Sequence, residues 1–331
     1  MLWLVPHLFA SPRLLEAALP GVRLPGLSTL LARGRPTRES PPGTEAALAR
    51  ACGVRRQTDW PLAPITLLAD GGAADGVYWL RADPAHFAVM RDRVVYSTAT
   101  FDDLTHDEAR QLTVTLAEHF GPDFAPQALH PRRWYLRLDT PPRLLTTPPS
   151  LARGQALDRI LPGGGDATVW RARLNEAQML LHSHPVNAAR EARGQWPVNG
   201  LWLWGGGVHA APPPAPVEIH AGPAGIDLAR ICGATPRPRP ARFEPGQFRP
   251  PGIVLLDALE VPALHNDALG WRNAVGELEA GWFGPLARAL RQLGPGGIRI
   301  ADPVSGRGIV LRRGDAWMFW RRPSALASAL A

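Results

Sequence analysis

The sequence predicts an α/β protein built on a mostly parallel sheet with helices on both faces and carrying an inserted α+β domain. Three observations predict it. Residues 2–5, 201–204 and 253–256 are apolar runs without polar alternation, the pattern of strands buried on both faces. Helical spacings alternate with such runs toward both ends of the chain, the order expected of a parallel sheet with crossover helices. From about Gly71 the texture changes to loop glycines and short strands around one helix. The 331 residues, 45% of them hydrophobic, suffice for a large core and two domains. The core is expected to occupy residues 1–70 and 169–331, with the insertion at 71–168.

Residues 2–5 form the first strand. Ser11-Pro12 opens a helix, with proline at an early position where its missing N–H costs little. Leu27, Leu30 and Leu31 share one face of a second helix that starts near Pro25, and Gly34 stands at its C-cap. Pro42-Gly43-Thr44 leads into a helix over 45–52, with Thr44 as its N-cap. Within the insertion, residues 78–81, 94–97 and 134–138 read as strands. Its helix opens at Thr105 with Glu108 three residues on, a capping box, and lines Ala109, Leu112, Leu116 and Phe120 along one side. A helix from about Thr168 sets Trp170, Leu174, Ala177 and Leu181 at helical spacing, and Pro185 helps to end it. Residues 201–204 form a central strand in the same sheet as residues 2–5. Gly205, Gly206 and Gly207 then let the backbone turn and approach a ligand at the strand's carboxyl end, or simply make a tight exit. Residues 217–220 read as a strand, 225–232 as a helix, 237–249 as a proline-arginine loop and 253–257 as another buried strand. A helix carrying Val275, Leu278, Trp282, Leu286 and Leu290 follows, and residues 298–301 and 309–311 close the sheet.

Lysine is absent, so all 36 of these basic side chains are arginine, and the net charge is +7. The arginines are spread along the chain without interleaved exposed aromatics, which argues against nucleic acid as a partner. A coding bias against lysine explains the same composition. No run reaches the roughly 20 apolar residues of a membrane span, and the first ten residues lack the basic start and cleavage site of a signal peptide. The expected location is the cytoplasm, with no membrane partner. Cys52 and Cys232 lie far apart and outside any CxxC pair, which predicts two buried thiols.

His184-Pro185-Val186-Asn187, Arg190, Pro197-Val198-Asn199 and the run from Leu201 to Gly207 resemble a segment of the archaeal-type cofactor-independent phosphoglycerate mutases, members of the alkaline-phosphatase superfamily. Over nearly its whole length the chain looks closer still to bacterial phosphoglycerate-mutase-like regulatory proteins of the RpfE type. The resemblance implies an alkaline-phosphatase-like fold whose insertion corresponds to the domain those mutases carry. Pro42-Gly43-Thr44-Glu45 resembles the segment holding the family's phosphorylated serine, which makes Thr44 the candidate nucleophile at a helix N-terminus that favours an anion. Leu80-Arg81-Ala82-Asp83 stands near the family's Phe-Arg-Cys-Asn and makes Arg81 a candidate phosphate ligand, although a solvated strand-end arginine is the commoner case. His184, Asn187, Arg190 and Asn199, with the amides of Gly205, Gly206 and Gly207, form the candidate site for a small phosphorylated or carboxylic acid. Arg190 dominates it through a two-point guanidinium contact. Buried Asn and Arg side chains beside a strand exit also serve to satisfy loop backbone groups. His182 and His184 lie two apart, a spacing that suits neither one helical face nor a shared metal.

The mutases hold two divalent metals with Asp and His side chains from separated segments. Here the first strand runs into Val5-Pro6-His7-Leu8 where the resemblance calls for Asp-Gly. The segment from Asp257 to His265 is shortened, and Ala301-Asp302-Pro303 carries proline where histidine is expected. The departure implies a catalytically degenerate phosphoglycerate-mutase-like protein, without a metal cofactor, that binds a small acid in a regulatory role. The alternative is an active metal-dependent mutase or phosphatase with Mn or Zn in an altered site built from Asp257, His265, Asp267 and Asp302.

Overall fold

The computed structural model describes residues 1–40, 42–210, 217–222, 225, 236–248, 250–321 and 329–330. In chain order the strands are β1 (Leu2–Leu4), β2 (Arg35–Arg38), β3 (Tyr78–Ala85), β4 (Phe87–Val89), β5 (Val94–Tyr96), β6 (Pro126–His130), β7 (Arg133–Leu138), β8 (Gly200–Val208), β9 (Glu218–Ala221), β10 (Arg237–Pro238), β11 (Gly252–Leu255), β12 (Ile298–Asp302) and β13 (Arg307–Leu311). The chain divides into two compact units. One comprises Met1–Ala47, Ala215–Arg230 and Ala234–Ala331, and the other comprises Leu48–Pro214 and Ile231–Gly233. Among the described residues no helix is long and apolar enough to cross a membrane.

The first unit is organised by a seven-stranded sheet in the order β10-β9-β11-β1-β12-β13-β2. Pairing is parallel from β10 through β12 and antiparallel at β12–β13 and β13–β2. Successive side chains of a strand point to opposite faces. Trp3, Val254 and Ile300 accordingly enter one core cluster, while Leu4, Leu255 and Ala301 are buried outside it. Both faces of the central strands are thus covered, as their unbroken apolar sequence requires. Trp3 meets Phe243 and Trp282 edge-on, with ring centroids 5.2 and 5.3 Å apart, contacts worth about 1 kcal/mol each beyond area burial. Helix starts follow local chemistry where a capping residue is at hand. Ser11 accepts the Leu14 amide, and Asp267 accepts that of Gly270. The helix Pro25–Arg33 is capped from afar, since the Glu279 carboxylate accepts the Gly26 and Leu27 amides at 2.6 and 2.9 Å. Gly26 is required there, because a Cβ would lie 2.5 Å from the Gly284 backbone.

The second unit carries a four-stranded antiparallel sheet in the order β6-β7-β3-β8 and the hairpin β4–β5. This corrects the expectation that residues 2–5 and 201–204 share a sheet. β1 pairs with β11 and β12, whereas β8 pairs with β3. The apolar run of β8 is still buried on both faces. Leu201 and Leu203 join the core with Trp170, Leu174 and Leu181 of the helix Ala167–His182, while a side chain added at Gly205 would meet Leu62 of the helix Leu62–Ala69. The helix His106–Phe120 begins at the Thr105 capping box and buries Ala109, Leu112 and Leu116. The unit that holds the segment expected as the insertion comprises Leu48–Pro214 and Ile231–Gly233.

Pro185 opens a new helix, Pro185–Ala192, at its first position, and the preceding helix ends at His182. Cys52 is disulfide-bonded, which corrects the reading of a free thiol. Cys232, residues 226–232 of the helix expected over 225–232, and Arg249 lie outside the described residues, and Arg237–Pro238 within the expected loop pairs with β9.

Candidate functional site

The residues expected to bind an acid in the second unit are drawn together, but their polar atoms face one another. Arg190 is fully buried. Its Nε donates to the Trp196 carbonyl at 2.9 Å, one terminal nitrogen to Glu108 at 3.0 Å and the other to Asp103 at 2.8 Å. Burial pushes the Glu108 carboxyl up, but the Thr105 amide, Arg190 and further donors outweigh it and hold that group below its ordinary value. Asn187 donates to the Leu181 and Val198 carbonyls and accepts the Val198 amide, all between 2.7 and 2.8 Å. Asn199 pairs with both backbone groups of Phe87. His184 caps the helix Pro185–Ala192, its Nδ1 accepting the Val186 amide at 3.1 Å while Nε2 meets Thr115 Oγ1 at 3.0 Å. That pattern puts the proton on Nε2, and burial holds the ring below its ordinary pKa. Arg190 and its neighbours thus form a clamp between helices and loops, in place of the ligand contact expected from the resemblance.

Arg81 is likewise committed. It grips Asp83 with two nitrogens at 2.8 Å, donates to Thr66 at 3.1 Å and lies over the Tyr135 and Trp204 rings at 5.1 and 5.0 Å. The glycines are strand residues of β8, and their shape serves packing. Gly205 has φ +71°, and the register between β3 and β8 shifts beside it, between Trp79 and Arg81. A Cβ at Gly206 would sit 2.2 Å from the Tyr78 hydroxyl, and one at Gly207 would sit 2.5 Å from Pro61. A groove of about 360 Å³ does border this cluster, lined by His86, His182, Glu191, Pro197, Asn187 and Asn199. His86 was missed by sequence reasoning. It bonds the Pro197 carbonyl at 3.0 Å, and burial lowers its pKa against the opposing influence of that carbonyl and of Glu191.

The first unit presents a different edge. β9, β11, β1 and β12 run parallel, so residues following them gather at one end of the sheet, where open α/β sheets bind ligands. Asp302 ends β12 and is buried. Its carboxylate accepts four backbone amides, those of His7 at 3.1 Å, Phe9 at 3.0 Å, Val304 at 2.9 Å and Ser305 at 3.3 Å. To present its amide, His7 adopts φ +61°, a left-handed conformation rare outside glycine, and its carbonyl accepts the Trp271 indole N–H. Burial lowers the His7 pKa while the Asp302 carboxylate opposes the shift. The only sequence signal for His7 was its position after β1, and its conformation is not legible there.

Asp257 follows β11 and is held by Arg239 at 3.0 Å. His265 lies on the surface against the Val261 carbonyl, and Asp267 is occupied as an N-cap. Among the described residues no group of three or more His, Cys, Asp or Glu side chains is placed to hold a metal ion. The set Asp257, His265, Asp267 and Asp302 is therefore not assembled as a metal site, because each member is turned to its own local partner. Thr44 is buried as the first residue of the helix Thr44–Ala51, and the Gly43 carbonyl accepts the first helical amide, from Ala47, so the N-cap is Gly43. The Gly43 amide donates to the Pro303 carbonyl at 3.1 Å, which ties the Thr44 segment to the end of β12. Further along that edge, β12, β13 and β2 set Asp302 opposite Arg307 and Arg307 opposite Arg38. Burial, and then the Arg38 charge, lower the Arg307 pKa, while Asp302 opposes them.

No protein-family model matches the chain. Among curated proteins it is similar to 2,3-bisphosphoglycerate-independent phosphoglycerate mutases. One from Methanothrix thermoacetophila is 38% identical over 153 residues, covering 45% of this chain and 31% of that protein. A probable one from Geobacter sulfurreducens is 26% identical over 239 residues, covering 66% of this chain and 58% of that protein. The match to one from Methanosarcina mazei is 36% identical over 61 residues, 18% of this chain and 15% of that protein. The matched regions thus span less than two thirds of the length of these relatives. Among solved structures, the cofactor-independent phosphoglycerate mutase from Thermoplasma acidophilum superposes with a TM-score of 0.39 at 17% identity, covering 100% of this chain and 94% of that one. The PH0037 protein from Pyrococcus horikoshii gives 0.47 at 14% identity, covering 99% and 91%. By sequence the chain is thus similar to phosphoglycerate mutases over part of its length.

Proposed function

We propose that the chain is a catalytically degenerate phosphoglycerate-mutase-like protein of the alkaline-phosphatase superfamily, a regulatory protein of the RpfE type that binds a small phosphorylated or carboxylic acid. The observation that carries this reading is the state of Asp302. Its Oδ1 accepts three backbone amides and its Oδ2 a fourth, and the Arg307 charge acts on it as well, so most of its acceptor capacity is used within the protein. Asp257 is matched by Arg239, so the residues at this edge do not fit a pair of divalent ions. In this reading Thr44 serves as the buried first residue of its helix rather than as a nucleophile.

The acid is received at the same edge. Arg38 and Arg307 are direct cross-strand neighbours, so their side chains leave the same face of the sheet, and their like charges oppose each other. Arg307 already donates to the Leu330 and Ala329 carbonyls and lies over the Phe9 ring, so the anion is met by the Arg38 guanidinium and relieves the repulsion between the two charges. Cytoplasmic residence belongs to the same proposal. The Cys52 disulfide weighs against it, because cytosolic thiol pools keep most disulfides reduced. Calorimetric titration of the protein with 3-phosphoglycerate, with and without Mn, tests the binding reading. Saturable binding that needs no metal and weakens about tenfold in Arg38→Ala is expected, since one guanidinium contact is worth roughly 1.5 kcal/mol. Binding that appears only with Mn would instead favour the active, metal-dependent alternative, and no binding of any such acid would remove the ligand.

A further inference from the structure

The expectation that no exposed aromatics lie among the arginines fails in the segment 312–321. At the end of the short helix Arg313–Trp317 and just beyond it, three large aromatic side chains stand in solvent, Trp317 at 58%, Phe319 at 74% and Trp320 at 64% exposure. Phe319 and Trp320 hold each other edge to face, with ring centroids 5.4 Å apart. Arg291 lies over the Trp317 ring at 4.3 Å, and Arg321 reaches the Arg33 carbonyl. Arg312 and Arg313 are exposed just before the aromatics. The one acidic residue of this stretch, Asp315, is buried and accepts the Arg312 amide, so it does not screen the arginines from outside.

From this arrangement we infer that the segment 312–321 is a peripheral docking site for an anionic lipid surface. Tryptophan and phenylalanine gain by leaving water for the boundary between headgroups and acyl chains, and the indole N–H can remain at headgroup level. Arginine adds electrostatic attraction to anionic headgroups near the surface. The arrangement suits a headgroup layer better than stacked bases. One face of Trp317 is already covered by Arg291, and the Phe319–Trp320 pair is crossed at 78°, so the rings do not form a parallel platform. No helix needs to cross the bilayer, because such contacts lie in the interface.

The test is sedimentation of the full chain with vesicles of phosphatidylcholine alone or mixed with phosphatidylglycerol, read together with tryptophan emission. The site predicts binding to the mixed vesicles only, a blue shift on binding, and weakening as salt rises. Phe319→Ser/Trp320→Ser should reduce binding by about tenfold or more, and Arg313→Gln/Arg321→Gln should reduce it in the same direction. The exposed positions make both variants compatible with folding, which an unchanged melting curve verifies. Absence of sedimentation, or sedimentation undiminished in the aromatic variant, overturns the inference. So does a preference for a single-stranded oligonucleotide, or for self-association, that the same variant abolishes.

Discussion

The buried arginine of one unit and the buried aspartate of the other solve the same problem in opposite ways. Arg190 is a cation whose charged partners, Asp103 and Glu108, lie 87 and 82 residues away, so it fastens separate elements to each other. Asp302 is an anion that accepts four backbone amides, two of them within three residues, so it shapes the local path of one sheet edge. The difference teaches how to separate a clamp from a site. At Arg190 the charges close on themselves. At the sheet edge Asp302 accepts four amides and Arg307 is held by the Leu330 and Ala329 carbonyls, while Arg38 still stands beside Arg307 with like charge.

The largest effect that tests this contrast is on stability. Arg190→Ala should destabilise the protein by about 3 kcal/mol, because it removes three hydrogen bonds and leaves two carboxylates without their shared cation. Asp302→Ala should cost about 2 kcal/mol, since Val304 and Ser305 are partly exposed and water can replace the carboxylate there. Denaturant unfolding of both variants measures the order. A near-neutral Arg190→Ala would break the comparison, because a free ligand-binding arginine can be lost at little cost to stability.

A smaller effect sharpens the clamp. His184 must be neutral to accept the Val186 amide through Nδ1, and its folded pKa lies below the ordinary value of 6.5. Between those two values the unfolded chain binds the proton more readily, so stability should fall as pH drops through about 6.5 and flatten below the folded pKa. His184→Asn keeps a capping acceptor without the titration and should lessen that fall. Since His7 and His86 are lowered in the same direction, part of the slope should remain. An unchanged profile in His184→Asn would show that the ring is not titrating as the cap geometry requires.

Much of the architecture was legible in the sequence because it rests on local chemistry. The Thr105 capping box, the apolar strands β1, β11 and β12, and the helix through Trp170 and Leu181 all follow from spacing within a dozen residues. The partner of residues 201–204 was not legible. An apolar run reports burial on both faces but not which strand lies beside it, and β8 meets that requirement in an antiparallel sheet. The roles of Arg190 and Asn187 were readable only as two alternatives, ligand contact or backbone support. What separates them is the position of Asp103, Glu108 and Val198, which pattern alone does not supply. The Trp317 to Trp320 patch was present in plain sequence, yet its exposure depends on tertiary packing.

Whether the proposed loss of the centre for phosphoryl transfer holds is tested most directly by a coupled assay for interconversion of 2- and 3-phosphoglycerate with added Mn or Mg. No turnover above the protein-free rate is expected under either metal. Metal-dependent turnover that Thr44→Ala abolishes would contradict it.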